Sequence, residues 1–210
     1  MRTRVKICGI TNIEDAKAAI SLGVDALGFI FAESPRKIEP DKARKIILNL
    51  PPIIGIVGVF VDEKEEIVKE IASHCGLNTL QFHGSETPEY CNLFPHKIIK
   101  AFRIKDEMSL KEIPHYQRWA DAFLLDTYKK GIRGGTGRTF DWKLAIKSKK
   151  FGPIILSGGL RPDNVKDAIL EVRPYGVDVG SGVESLPGKK DYRLLEEFIT
   201  QVKEADYAAG

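Results

Sequence analysis

Three observations in the sequence predict an α/β fold, specifically a single-domain (β/α)8 barrel. Short β-branched runs alternate with amphipathic, Lys/Glu-rich stretches from one end of the chain to the other. Several of the runs are nearly continuous in apolar residues, as strands covered on both faces are. The glycine-rich turns come late, at Gly158-Gly159 and Gly180-Ser181-Gly182, after the seventh and eighth runs, where many barrels build a phosphate site. Eight strand–helix units in 210 residues average about 26 residues each, which is tight but workable for this fold. A doubly wound open sheet is the rival architecture. It usually needs fewer strands, and its phosphate fingerprint follows the first strand, where Cys8-Gly9-Ile10 is no GxGxxG.

Taken in order, the expected strands are Val5–Cys8, Ala26–Phe31, Ile54–Val61, Thr79–His83, Ile98–Phe102, Ala122–Asp126, Ile154–Ser157 and Val177–Gly180. The helical patterns between them are Asn12–Leu22, Pro40–Asn49, Lys64–His74, Thr87–Leu93, Trp142–Lys147, Arg161–Glu171 and Asp191–Lys203, with a weaker pattern over Ser109–Tyr116. Thr11 or Asn12 ahead of Glu14-Asp15 marks one helix start, and Asp62 ahead of Glu65 has capping-box spacing. No linker or low-complexity stretch divides residues 1–210, so one domain is expected, with a fraying tail through Ala208-Ala209-Gly210.

Composition narrows the function classes. Lys and Arg number 32 against 29 Asp and Glu, a formal charge of +3, so no strong basic footprint argues for nucleic acid or an acidic membrane. No apolar run approaches the roughly 18 residues that span a bilayer. The N-terminus, Met1-Arg2-Thr3-Arg4-Val5-Lys6, enters a strand-like run without a signal-peptide apolar region. The odd, sparse cysteine set Cys8, Cys75 and Cys91 is no disulfide framework and fits a reducing cytoplasm. His74, His83, His96 and His115 lack metal-ligand spacing, so no metal site is expected.

In a barrel the chemistry sits at the C-terminal ends of the strands. Those ends carry Cys8, Phe31 with nearby Arg36, His83, Phe102-Arg103, Asp126, Ser157-Gly158-Gly159 and Gly180-Ser181-Gly182. Strand alternation puts Lys6 and Cys8 on one face of the first strand and Asp178 with Gly180 on one face of the eighth. If Cys8 points into the mouth, Lys6 points into the interior, where an isolated charge is costly and Asp178 is the obvious partner. Cys8 precedes a helix start and lies near Lys6, either of which can lower a thiol pKa; the bland alternative is a small buried core residue. Asp126 ends the run Ala122-Phe123-Leu124-Leu125 with nothing local to pair with, which favours a functional acid.

Both glycine turns follow a strand and lead toward a helix, so their N–H groups are suited to a dianion; the alternative is a pair of ordinary βα turns. The stretch Gly131-Ile132-Arg133-Gly134-Gly135-Thr136-Gly137-Arg138 reads as a lid over an anionic substrate or as a plain surface loop. Arg36 in Ser34-Pro35-Arg36 is placed either to fork onto a carboxylate or to lie solvated on the surface.

Together these motifs resemble one family, the phosphoribosylanthranilate isomerases of tryptophan biosynthesis. The resemblance runs through Val5-Lys6-Ile7-Cys8-Gly9-Ile10-Thr11, Ser34-Pro35-Arg36, Gly58-Val59-Phe60-Val61, His83-Gly84 with Glu86, and Leu124-Leu125-Asp126-Thr127. It continues through Gly134-Gly135-Thr136-Gly137 with Phe140-Asp141-Trp142, Ser157-Gly158-Gly159-Leu160 and Gly176-Val177-Asp178-Val179. It ends with Ser181-Gly182-Val183-Glu184 and Pro187-Gly188 before Lys190-Asp191.

The resemblance implies a (β/α)8 barrel without cofactor or metal that converts N-(5-phosphoribosyl)anthranilate by an Amadori rearrangement. It implies Asp126 as general acid and Cys8 as general base. Arg36, His83 and Asp178 would then contact substrate, with Arg36 on the anthranilate carboxylate. Gly158, Gly159, Gly180, Ser181 and Gly182 would grip the phosphate. Where the family often has two serines, this chain has Gly180-Ser181, one hydroxyl fewer.

Two rivals stand beside this reading. One is a phosphosugar epimerase, whose chemistry usually resembles a carboxylate- and histidine-held metal site absent from this sequence. The other is a non-catalytic phosphate-binding barrel, which would need the glycine turns but neither Cys8 nor Asp126. The expected partner is a small phosphosugar, without nucleic acid or membrane, and the chain is either a monomer or a homodimer.

Overall fold

The computed structural model describes residues 2–127 and 140–209. The expected lid, Gly131–Arg138, lies outside the described residues. Eight parallel strands close into a barrel in sequence order: β1 (Arg4–Cys8), β2 (Ala26–Ile30), β3 (Gly55–Phe60), β4 (Thr79–Phe82), β5 (Lys97–Ile104), β6 (Ala122–Thr127), β7 (Ile154–Leu156) and β8 (Gly176–Val179). Closure is made by β1 against β8, with Lys6 opposite Asp178 in the register. Each expected strand is present, with ends moved by a residue or two as β-ladder hydrogen bonding decides.

The helices are α1 (Ile13–Ser21), α2 (Pro40–Ile47), α3 (Glu65–Cys75), α4 (Pro88–Cys91), α5 (Trp142–Ser148), α6 (Val165–Val172) and α7 (Tyr192–Ala208). Asn12 caps α1 by accepting from the Asp15 N–H at 2.8 Å. Asp191 caps α7 through the N–H groups of Arg193 and Leu194. Four expectations need correction. Asp62 caps nothing: it sits at φ 51, its carboxylate accepts from the Ser85 N–H at 2.5 Å, and α3 starts from Lys64 without a side-chain cap. The pattern at Thr87–Leu93 forms only the single turn α4. The weaker pattern at Ser109–Tyr116 is a 3-10 helix, Glu107–Tyr116, that contains Pro114 and is opened by an Asp106–Ser109 capping box. The last helix is longer than expected: α7 runs to Ala208, five residues past Lys203.

The chain after β8 also differs from the expected turn-to-helix passage. A 3-10 turn, Ser181–Val183, leads into a small hairpin, β9 (Glu184–Leu186) and β10 (Lys189–Lys190), before α7 begins. The hairpin is held beside the end of β1 and the start of α1, where Asp15 of α1 accepts the Lys190 N–H at 2.7 Å. Thr11 donates to Gly188 O at 2.5 Å on the same side.

Apolar residues form two separate bodies. The larger packs between strands and helices and includes Ile7, Leu27, Phe29, Phe82, Phe123 and Phe198. The smaller fills the barrel interior with Val57, Ile99, Ala101, Ala122, Leu124 and Ile155. Alternation along each strand separates the two. One outward residue is charged: Lys100 on β5 lies under the helices and donates to Glu86 Oε2 at 2.9 Å and to Gly84 O at 2.8 Å. Glu86 in turn accepts from the N–H groups of Asp62 and Gly84, which ties down the loop after β4. No helix among the described residues is long and apolar enough to cross a membrane.

The Lys100 and Glu86 side chains are 3% and 2% exposed, so neither charge has water to fall back on. Lys100→Met should therefore destabilise the barrel by about 3–5 kcal/mol in denaturant melts, the range for stranding one charge of a buried pair. Lys100→Met with Glu86→Gln should recover part of that loss. Equal stability of Lys100→Met and the parent chain would show that the pair does not hold this loop.

Candidate active site

One cavity opens at the C-terminal ends of the strands, and the ten residues to which the resemblance gives a role lie on its wall, while Phe31 and Phe102, also named at strand ends, do not line it. Cys8 comes from the end of β1, Arg36 from the loop after β2, His83 from just past β4 and Asp126 from β6. Gly158 and Gly159 follow β7, Asp178 lies on β8, and Gly180, Ser181 and Gly182 follow it. Arg103 and Ser157, named at the strand ends but given no role, share the wall, as does Gln81, which the sequence reading did not name. A signal for Gln81 exists: a lone amide in the run Thr79–Phe82, two positions before His83 and so on the same strand face.

The floor of the cavity is an ion pair. Lys6 Nζ stands 2.7 Å from Asp178 Oδ1, with side chains 5% and 7% exposed, as the alternation argument anticipated. Ser157 donates to the other carboxylate oxygen at 3.2 Å. Asp178 thus meets the cavity with one oxygen already committed to Lys6. Burial works against the Lys6 ammonium, but Asp178 and the neighbouring Cys8 outweigh it and hold the lysine above its ordinary pKa.

Cys8 is half-buried beside this pair. Its thiol fits because β2 has a glycine opposite: a Cβ on Gly28 would stand 2.8 Å from Cys8 Sγ and 3.1 Å from Lys6 Cε. The expected lowering of the thiol is corrected. Burial pushes the Cys8 thiol above its ordinary value, and Asp178 adds to that, while Lys6 and Lys190 pull it only part of the way back.

Asp126 is not without partners, contrary to the expectation. Its Oδ1 accepts from the Thr127 N–H at 2.7 Å, and its Oδ2 lies 3.2 Å from His83 Nε2. The other ring nitrogen of His83 is 3.1 Å from Gln81 Nε2. With the Gln81 amide donating to Nδ1, the ring proton of neutral His83 sits on Nε2 and faces Asp126. Arg103, paired in register with Asp126, donates to His83 O at 3.2 Å.

Arg36 is not a solvated surface arginine, since its side chain is only 18% exposed. Its Nε and Nη2 both donate to the Glu184 carboxylate at 2.8–3.0 Å. Burial works against the Glu184 carboxylate, yet Arg36 and Lys190 together hold it below the usual glutamate range. Gly158 and Gly159 both adopt φ +77, a tight left-handed turn suited to glycine. Gly180, at φ −117, needs no such freedom. Among the described residues no group of three His, Cys, Asp or Glu side chains is placed to hold a metal ion.

Comparison with known proteins gives consistent matches along the chain. A family model described as N-(5'phosphoribosyl)anthranilate (PRA) isomerase matches residues 5–201. The N-(5'-phosphoribosyl)anthranilate isomerase of Geobacter sulfurreducens is 51% identical over 201 residues, covering 95% of this chain and 98% of that protein. The crystal structure of phosphoribosyl anthranilate isomerase from Thermotoga maritima superposes with a TM-score of 0.90 at 43% identity, over 96% of this chain and 99% of that one. A crystal structure of such an isomerase in complex with reduced 1-(o-carboxyphenylamino)-1-deoxyribulose 5-phosphate superposes at 0.87, with 42% identity over 96% and 99% of the two chains.

The surroundings of Cys8 generate a pH prediction. The charged groups that face it are Lys6 on its own strand, Asp178 on β8 and Lys190 on the hairpin. Iodoacetamide labelling of Cys8, followed by peptide mass spectrometry, should rise with pH around a midpoint above that of an unperturbed thiol. Lys6→Met removes a cation and leaves Asp178 unpaired, so the midpoint should move further up. A midpoint below the unperturbed value in the parent chain would contradict the balance described here.

Proposed function

This chain belongs to the N-(5'-phosphoribosyl)anthranilate isomerase family, enzymes of tryptophan biosynthesis, and from that premise we propose a metal-free acid–base rearrangement at the barrel mouth. The substrate is N-(5-phosphoribosyl)anthranilate and the product 1-(2-carboxyphenylamino)-1-deoxyribulose 5-phosphate. Asp126, in its protonated form, gives a proton to the furanose ring oxygen. The bond from that oxygen to C1 breaks as the anilino nitrogen supplies its electron pair, leaving an open-chain iminium. Cys8, as thiolate, then takes the proton from C2, and the electrons of that C–H bond flow to the iminium to give the enolamine. Tautomerisation follows: the enol hydroxyl gives its proton to water, C1 takes one from water, and C2 becomes the ketone carbon, while Cys8 releases its proton to solvent and Asp126 takes one back, which restores both groups. Atoms balance, and the iminium serves as the electron sink.

One observation carries this reading. A thiol and a carboxyl come from β1 and β6, on different sides of a single cavity that also holds an arginine and two glycine turns. The glycine turns at 158–159 and 180–182 suit the phosphate, whose charge their N–H groups can meet. Arg36 suits the anthranilate carboxylate, because a guanidinium presents more than one edge. Asp178, neutralised by Lys6, can still accept from a sugar hydroxyl, and His83 supports Asp126 while lying within reach of the sugar. Holding the phosphate and the carboxylate at opposite ends fixes the reacting carbons between base and acid. The raised thiol is a cost to this scheme at neutral pH, and it is offset by a stronger base once the proton has left.

The test is turnover of freshly generated phosphoribosylanthranilate, followed by loss of its fluorescence with EDTA present. Loss well above spontaneous decay is expected. Cys8→Ser and Asp126→Asn should each lower kcat by about 100- to 10,000-fold, the usual contribution of a positioned acid or base. Binding of inorganic phosphate should persist in both variants. Full turnover in either variant would remove that residue from the mechanism, and loss of turnover with EDTA would remove metal independence.

A further inference from the structure

The hairpin between β8 and α7 carries two buried charged side chains to which the mechanism assigns nothing. Glu184 opens β9 and Lys190 ends β10, and their side chains are 4% and 1% exposed. Buried charges of this kind persist only when paired and hydrogen-bonded. Here the partners are complete. Lys190 Nζ uses its three protons on Cys8 O at 2.6 Å, Gly180 O at 3.1 Å and Glu184 Oε1 at 2.8 Å. Glu184 accepts from Lys190, from the Gly188 N–H at 3.3 Å, and from two nitrogens of Arg36.

We propose that Glu184 is a positioning residue: it grips the Nε–Nη2 edge of Arg36 so that the remaining guanidinium edge is presented to the carboxylate of the substrate's aromatic ring. This rests on the reading of Arg36 given above. Three features support it. The grip is made at two points, 2.9 Å from Nε and 2.8 Å from Nη2, which sets the plane of the fork as well as its distance. Lys190 references that grip to the barrel, because the same ammonium touches the carbonyl of Cys8 at the end of β1 and of Gly180 just past β8. The carboxylate receptor and the thiol are thereby held in one frame. Finally, the cluster has two cations, Arg36 and Lys190, to one anion, so an incoming carboxylate completes its charge balance.

A merely structural role would have Glu184 and Lys190 pin the hairpin and affect every ligand alike. The positioning role affects only ligands with the carboxylate. Two probes separate these: reduced 1-(o-carboxyphenylamino)-1-deoxyribulose 5-phosphate and the same compound without the carboxyl group. Their Kd values would be measured by calorimetry on the parent chain, Arg36→Met, Glu184→Gln, Glu184→Asp and the Arg36→Met/Glu184→Gln double variant. Glu184→Gln should weaken the carboxylated probe by about tenfold, the loss of one charge-assisted contact, and leave the carboxyl-free probe unchanged. Glu184→Asp keeps the charge that Lys190 needs, so it preserves the fold, but it draws the carboxylate away from the fork and should act in the same direction. In the Arg36→Met background, Glu184→Gln should add nothing.

If Arg36→Met abolishes the preference for the carboxylated probe while both Glu184 variants keep it, Glu184 does not position Arg36. Equal weakening of both probes by Glu184→Asp would likewise assign Glu184 to structure alone. If Arg36→Met itself keeps the preference, the reading of Arg36 fails, and the positioning role falls with it.

Discussion

Closure of the barrel places Lys6 of β1 opposite Asp178 of β8, and the ion pair between them sets what the interior can be. Two buried charges stay in the interior only with good geometry and with their remaining hydrogen-bonding capacity met. The third member, Ser157, meets part of it. The apolar interior accordingly comes from the other side of the barrel, from Val57 on β3, Ile99 and Ala101 on β5, Ala122 and Leu124 on β6 and Ile155 on β7. On the β8–β1–β2 side the space belongs to Lys6, Asp178 and Cys8, and Gly28 on β2 contributes no side chain because none fits. The barrel is thus half apolar packing and half polar floor. The polar half lies directly beneath the thiol.

Above that floor the site is organised as charge pairs anchored to strand ends. Glu184 sits between Arg36 and Lys190, and Lys190 joins the ends of β1 and β8 through their carbonyls. On the far side, Lys100 and Glu86 fix the loop after β4, which carries His83, and His83 reaches Asp126. Cys8 therefore stands on a strand end tied to a buried ion pair, and Asp126 is met by a histidine whose loop is tied down by another. Two buried atoms on the cavity wall, Gln81 Oε1 and Arg103 Nε, have no hydrogen-bond partner among the described residues. Such atoms cost about 1–3 kcal/mol each when unmet. The other two such side-chain atoms among the described residues, His96 Nδ1 and Trp142 Nε1, lie off this wall.

The cost of this design falls on Cys8. A thiol set among apolar strands and beside Asp178 is harder to ionise, and the cations near it soften that without cancelling it. Lys6 cannot do more, because its charge is already shared with Asp178.

How much was legible beforehand follows from the range of the interactions. Strand and helix identity came from local patterning: apolar runs such as Ala122–Leu125 and amphipathic stretches such as Asp191–Lys203 read correctly because burial on one or two faces leaves its period in the sequence. The strand-end positions of Cys8, His83 and Asp126 and the Lys6–Asp178 pair were legible for the same reason, since alternation assigns faces without coordinates. Local patterning also misled: Asp62 had capping-box spacing, but a contact 23 residues away with Ser85 took its carboxylate.

Other features depended on contacts between distant segments. The hairpin that replaces a direct turn into α7, the Arg36–Glu184 grip across 148 residues, and the His83–Asp126 contact are set by which strand ends closure brings together. The direction of the Cys8 shift belongs with them, because desolvation depends on everything packed around a group and not on its neighbours in the chain. The sequence by itself determined the barrel and the faces on which its chemistry lies. The tertiary structure alone decided which of those groups touch and how much water each retains, because contact and desolvation are properties of the closed barrel.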